Sequence, residues 1–214
     1  MTDFYVNAAD VPVSAARPLL IADIDEVVLL FADGFDKFLA ARDLFLDFRS
    51  YYLLGNVRRQ KDRSTLCDDE TEALLEEFRS GFDSLRPVDG VVEAMRTLPA
   101  LLDVVLLSNM ASGHVPARNR NLARHGLTAP LMINSGLKGA AVKALAARAG
   151  GPIFFVDDIP RHLASVAKEA GDVFRIHLVG DRRYDNVRPV SHDAHLSVGD
   201  WTGVARFIRD RCNT

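Results

Sequence analysis

Two carboxylates set one residue apart, Asp23 and Asp25, leave the apolar run Leu19-Leu20-Ile21-Ala22. That run reads as a buried strand, and residues two apart in extended chain face the same way. In an open parallel sheet, ligands bind beyond the carboxyl ends of the strands. Alone, an Asp-x-Asp after a strand is an ordinary cap or loop pattern. Its weight comes from later segments that also follow an apolar run with a chemically useful residue: Ser108 and Asn109, Lys138, and the pair Asp157-Asp158. If the four aspartates converge, their repulsion is severe. Two unit charges about 4 Å apart cost about 4 kcal/mol at an effective dielectric of about 20. A divalent cation relieves that cost, and an all-oxygen site favours Mg2+ over softer metals.

The elements that must position these residues alternate along the chain. Besides 19–23, strands are expected at Val104-Val105-Leu106-Leu107, Leu131-Met132-Ile133, Ile153-Phe154-Phe155-Val156 and 173–179. Helical patterns separate them: 91–98, a stretch around Leu122 that stops at Gly126, 140–149, and 163–170. Such alternation indicates a parallel sheet with helices on both faces, a Rossmann-like α/β core. Residues 1–18 are weakly patterned, a tail or an added edge element. Between about 33 and 85 no strand is expected, only two helical stretches. The first carries Phe35, Phe38, Leu39, Phe45 and Leu46 on one stripe; the second begins at Asp69 with Glu72 three residues on and runs through Leu74, Leu75, Phe78 and Phe82. The expected organisation is a core of 1–32 and 86–214 with a small helical cap at 33–85.

Composition narrows the function class. The chain has 214 residues with a net charge of -3 and a pI near 6.1, which offers no general attraction to nucleic acid or anionic membrane. No apolar run approaches the ~20 residues that span a bilayer. Met1-Thr2-Asp3-Phe4 does not begin a secretory signal, and Cys67 and Cys212 match no metal-ligand spacing. A reduced, cytoplasmic protein is expected.

Asp23-Ile24-Asp25, Ser108-Asn109, Lys138 and Asp157-Asp158, each after a strand-like run and in this order, resemble the motifs of the haloacid dehalogenase-like hydrolase superfamily. Pro87-Val88-Asp89-Gly90-Val91-Val92-Glu93-Ala94 and Phe155-Val156-Asp157-Asp158-Ile159-Pro160 resemble it around those motifs. The resemblance implies that Asp23 is a nucleophile that accepts a phosphoryl group, splitting a difficult hydrolysis into two steps. Asp25 becomes the general acid and base. Ser108, with Asn109, binds the phosphoryl oxygens, and Lys138 supplies positive charge to the transferring group. Mg2+ is expected between the Asp23 carboxylate, the carbonyl of Asp25 and the acids Asp157 and Asp158, either of which serves as the main ligand. Lys143 competes with Lys138, but Lys138 precedes Val142 and Leu145 on the buried stripe while Lys143 falls on the opposite face.

The implied activity is Mg2+-dependent hydrolysis of a small phosphorylated metabolite. A phosphomutase would use the same residues. A 2-haloacid dehalogenase would keep the nucleophile but typically lack the second aspartate and the metal. An inactive binding or regulatory module is the reading outside enzymes. One departure stands out: the family usually has glycine after the second aspartate, and this chain has Glu26. The expectation is a solvated Glu26 outside the pocket; the alternative is a negative charge beside the phosphate that weakens binding. The phenylalanines of the insertion are expected to be core, and the basic cluster Arg58, Arg59, Lys61 and Arg63 a solvated loop. Arg49, Tyr51 and Tyr52 are within reach of substrate from the cap, and monomer and homodimer both fit.

Overall fold

The computed structural model describes residues 4–81 and 84–212. Seven strands form one sheet in which every pairing is parallel: β1 (Phe4–Tyr5), β2 (Leu19–Ala22), β5 (Asp103–Asn109), β6 (Leu131–Asn134), β7 (Ile153–Asp157), β8 (Phe174–Leu178) and β9 (Leu196–Val198). Their spatial order is β1-β6-β5-β2-β7-β8-β9, so β2, which delivers Asp23, lies at the centre. Successive residues of β2 go to opposite faces: Leu19 and Ile21 join one apolar cluster, Leu20 and Ala22 the other. Both faces are covered, which is why the strands read as unbroken apolar runs. Helices α5 (Gly139–Ala146) and α6 (Pro160–Glu169) supply Val142, Leu145, Leu163 and Val166 to the first cluster. The second receives α3 (Val91–Thr97), α4 (Val115–Arg124) and α7 (Trp201–Cys212). Trp201 is packing, as expected, and its indole N–H donates to the Val27 carbonyl at 2.7 Å.

The N-terminal segment is an edge element, since β1 pairs with β6. β9 lengthens the other edge, where no strand was expected; Leu196-Ser197-Val198 is too short to show a period.

The insertion differs from its expectation. It is entered by α1 (Phe31–Ala40) and left by α2 (Asp68–Ser80), but between them lies an antiparallel pair, β3 (Leu44–Leu46) and β4 (Val57–Arg59). Phe45 and Leu46 therefore belong to a strand, not to the first helical stripe. The helix stops at Ala40 and the chain turns through Asp43 at φ 54, a left-handed position. The second helix begins one residue earlier than expected, and its N-terminal carboxylate is Glu70, which accepts from the Cys67 amide at 3.1 Å. Phe82, assigned to that helix from its spacing, lies outside the described residues. Phe31, Phe35, Phe38 and Phe78 pack ring on ring with centroids 5.2–6.4 Å apart. They join the same apolar cluster as Leu20 and Ala22, so the insertion shares the core's packing. Arg58 and Arg59 sit in β4 rather than a loop and pair with Asp47 at 2.6 Å and Glu70 at 2.9 Å. No helix among the described residues is long and apolar enough to cross a membrane.

Candidate active site

Register brings the site together. Ala22 pairs with Leu106 on one side and Val156 on the other. The next residues, Asp23 and Asp157, therefore leave the sheet side by side, and the Asp23 amide still donates to the Val156 carbonyl at 2.9 Å. Ser108, two residues beyond Leu106, is buried at the same end of β5. Lys138 stands at the N-terminus of α5, with its ammonium between two carboxylates: 2.6 Å from Asp23 Oδ1 and 2.7 Å from Asp157 Oδ2. Lys143 is on the outside of the same helix, facing Glu169 at 3.6 Å. Asp157 is doubly engaged, since its Oδ1 accepts from the Ile159 amide at 2.8 Å. Asp158 is held by the hydroxyl of Tyr51, which reaches across from the β3–β4 loop and donates to Oδ2.

Asp25 turns away from this group. Its Oδ1 accepts from the Arg118 guanidinium at 2.6 Å, and its side chain, 35% exposed, borders a large cavity. Arg118 is fully buried on α4. It is the residue that sequence reasoning missed, and a signal existed: Val115, Arg118 and Leu122 fall on one helical stripe, so a charge sits on the buried side. Asn109 also borders the cavity, but its amide is occupied in loop closure, donating to the Gly136 carbonyl and accepting from Asn134, both at 2.8 Å.

Glu26 is neither solvated nor outside the pocket. It is 6% exposed, lines the cavity and adopts φ 61, the left-handed conformation that glycine takes at no steric cost. Its Oε1 accepts from the Ala32 amide at 2.6 Å, so it caps the first turn of α1 from across the loop. Leu30, at the cap position itself, has no side-chain acceptor to offer. Close by, Gly180 donates to the Glu26 carbonyl at 2.8 Å, an approach that a Cβ at 180 would obstruct.

Electrostatics follow from burial. Removal from water raises the carboxyl pKa of Asp23, with Lys138 opposing and Asp157 reinforcing. Desolvation also raises Asp157, against the attraction of Lys138. Asp158 is pushed well up by desolvation and by the Asp157 and Asp23 charges. Burial raises Asp25 despite Arg118, and lifts Glu26 to about 8. Lys138 goes up although desolvation opposes it, because Asp157 and Asp23 hold its proton. Beside it, His162 is lowered to about 4 by burial and by the Lys138 charge.

These residues fit a hard divalent cation. Asp23, Asp157 and Asp158 each place a carboxylate oxygen within 4.8 Å of the others. Fully ionised, the carboxylates of Asp23, Asp25, Asp157 and Asp158 exceed the two buried cations, Lys138 and Arg118, by two charges. The donors are all oxygen, the set that hard cations prefer.

No known family profile and no curated protein matches the sequence. Solved structures do. A HAD hydrolase of family IA, variant 3, from Entamoeba histolytica is 12% identical, with a TM-score of 0.59 over 92% of this chain and 100% of its own. The HAD hydrolase YfnB from Bacillus subtilis, bound to magnesium, is 10% identical, with a TM-score of 0.56 over 90% and 99%. An L-2-haloacid dehalogenase is 14% identical, with a TM-score of 0.57 over 90% and 99%. The order of the strands, the insertion after the first central one and these likenesses agree: the chain has the haloacid dehalogenase-like fold.

Proposed function

We propose that the protein is a Mg2+-dependent phosphomonoester hydrolase in which Asp23 is the nucleophile. The observation that carries this reading is the Lys138 ammonium set between Asp23 and Asp157, beside Asp158 and Ser108, at the carboxyl end of a buried sheet. Lys138 holds one oxygen of Asp23 and so aims the other at an incoming phosphorus. As the Asp23 oxygen attacks, the phosphorus–oxygen ester bond breaks and the departing alkoxide takes a proton from Asp25. The raised pKa of Asp25 suits it to carry that proton. Asp25 then accepts a proton from water, which attacks the phosphorus and frees Asp23. Ser108 and Lys138 stabilise the phosphoryl oxygens throughout. Mg2+, held by Asp23, Asp158 and the Asp25 carbonyl, would supply further charge neutralisation. Asp157 is the weaker candidate ligand because both its oxygens are engaged, by Lys138 and the Ile159 amide.

The fold alone does not choose between phosphate and halide chemistry. The retained Asp25 favours phosphate, since halide release needs no proton donor. Hydrolysis of an aryl phosphate with and without Mg2+, alongside Asp23→Asn, tests the reading. Metal-dependent turnover lost in the variant supports it. Metal-independent halide release from a 2-haloacid, with no phosphate hydrolysis, would replace it.

A further inference from the structure

The cavity between the sheet end and the insertion is much larger than a phosphate group requires. This half-open cleft holds about 1700 Å³, whereas ligand pockets usually run from about 300 to about 1000 Å³. At the sheet end it is lined by Asp25, Glu26 and Asp158, the last within 4.8 Å of the Asp23 and Asp157 carboxylates. Arg79 and Arg161, which carry no ion pair among the described residues, belong to that end, because their charges act on Asp25 and Asp157. Glu72, Glu76 and His114 line another part of it, and the remaining walls are largely apolar. Tyr52, Leu53 and Leu54 contribute from the β3–β4 loop, and Val187, Pro189 and Val190 from the segment after β8. Tyr52 is 75% exposed and Val190 73%. Single exposed apolar side chains are ordinary, but two short apolar segments lining one cavity mark a surface that something covers.

We propose that the substrate is a phosphomonoester of a bulky, largely apolar alcohol, not of a short polar one. The inference rests on the phosphomonoester reading above and adds the identity of the leaving group. Phosphate and cation fill the acidic end, and the alcohol extends along the walls formed by residues 52–54 and 187–190. Binding energy from that remote part of the substrate raises kcat/KM when the contacts persist into the transition state.

The test compares ethyl, phenethyl and naphthylethyl phosphates, whose alkoxides are similar in basicity, so that the chemical step is held nearly constant. With Mg2+ present, kcat/KM is expected to rise about 10-fold or more from ethyl to the larger esters. That ratio should narrow in Tyr52→Ala and in Val190→Ser. If ethyl phosphate is turned over as well as the bulky esters, the inference falls while the phosphatase reading stands. If the larger esters win but neither variant changes the ratio, the assigned walls are wrong and the inference fails. If none of the three is hydrolysed, the phosphomonoester reading falls and takes the inference with it.

Discussion

The floor beneath the cavity, a buried charge cluster, and the roof over it are held in place by different means. Asp23, Ser108 and Asp157 hang from adjacent parallel strands buried on both faces, so backbone pairing along β2, β5 and β7 fixes where they emerge. Arg49, Tyr51 and Tyr52 hang from the loop between two three-residue strands, and Asn56 braces that loop through three donated contacts to residues 50 and 52. The floor is dense with buried charge, while the roof is largely aromatic and apolar, with Asp47 pairing with Arg49 and Arg58 beside it. The Tyr51 hydroxyl on Asp158 ties them together, alongside the ring contacts of Phe48 and Tyr51 with Tyr184. Residues 52–54 lie clear of the sheet, whereas Tyr51 is tied to it through Asp158, so on the proposed reading the walls at 52–54 can change with the least effect on the charge cluster.

The sharpest way to break this contrast is to empty the floor of its cation. Lys138→Ala leaves Asp23 and Asp157 facing each other with no charge between them. Stability should fall by about 3–5 kcal/mol, the usual cost of removing one partner from a buried pair. Phosphate hydrolysis should be lost, and a melting curve together with an activity assay checks both. Tyr51→Phe removes the hydroxyl contact between floor and roof and keeps the ring contact with Tyr184. The net worth of such a hydrogen bond is about 0.5–1.5 kcal/mol. Hydrogen exchange in residues 44–59 should quicken while protection of β2, β5 and β7 stays unchanged; uniform loosening would show that floor and roof are one unit.

Glu26 tests the seam from the side of α1. Its carboxyl is at about 8 in the fold against 4.5 when exposed. Between those values the unfolded chain gives up a proton that the native state keeps, so the contribution of Glu26 to stability is fully present below pH 4.5 and is lost as pH rises towards about 8. Glu26→Gln should flatten that part of the Tm–pH profile, gaining a few degrees relative to wild type at pH 8 and little at pH 5. The smallest effect belongs to Lys143→Ala. Its contact to Glu169 spans 3.6 Å between side chains 62% and 42% exposed, so the change should stay within about 0.5 kcal/mol. Two lysines five residues apart would then differ many-fold in consequence.

Most of the floor was legible in the sequence because each apolar run carries its own boundary, and a parallel sheet aligns the ends. The choice of Lys138 over Lys143 followed from helical stripe alone. What escaped depends on contacts between residues distant in the chain. Arg118 meets Asp25 across 93 residues, and only a charge on an apolar stripe hinted at it. Glu26 was expected to be solvated because its purpose, capping α1, requires the turn through 27–30 to be known first. The hairpin β3–β4 was hidden because strands of three residues show no period, and Phe45-Leu46 happened to continue the stripe of α1.

In the mechanism proposed above, Asp23 carries the phosphoryl group in transit. Acid quenching of the Mg2+-loaded protein during turnover of an aryl phosphate, followed by peptide mass spectrometry, tests it most directly. A phosphoryl adduct on the peptide containing Asp23, absent from Asp23→Asn, is the result expected. Sustained turnover with no adduct there, or with the adduct on Asp25 or Asp157 instead, would contradict it.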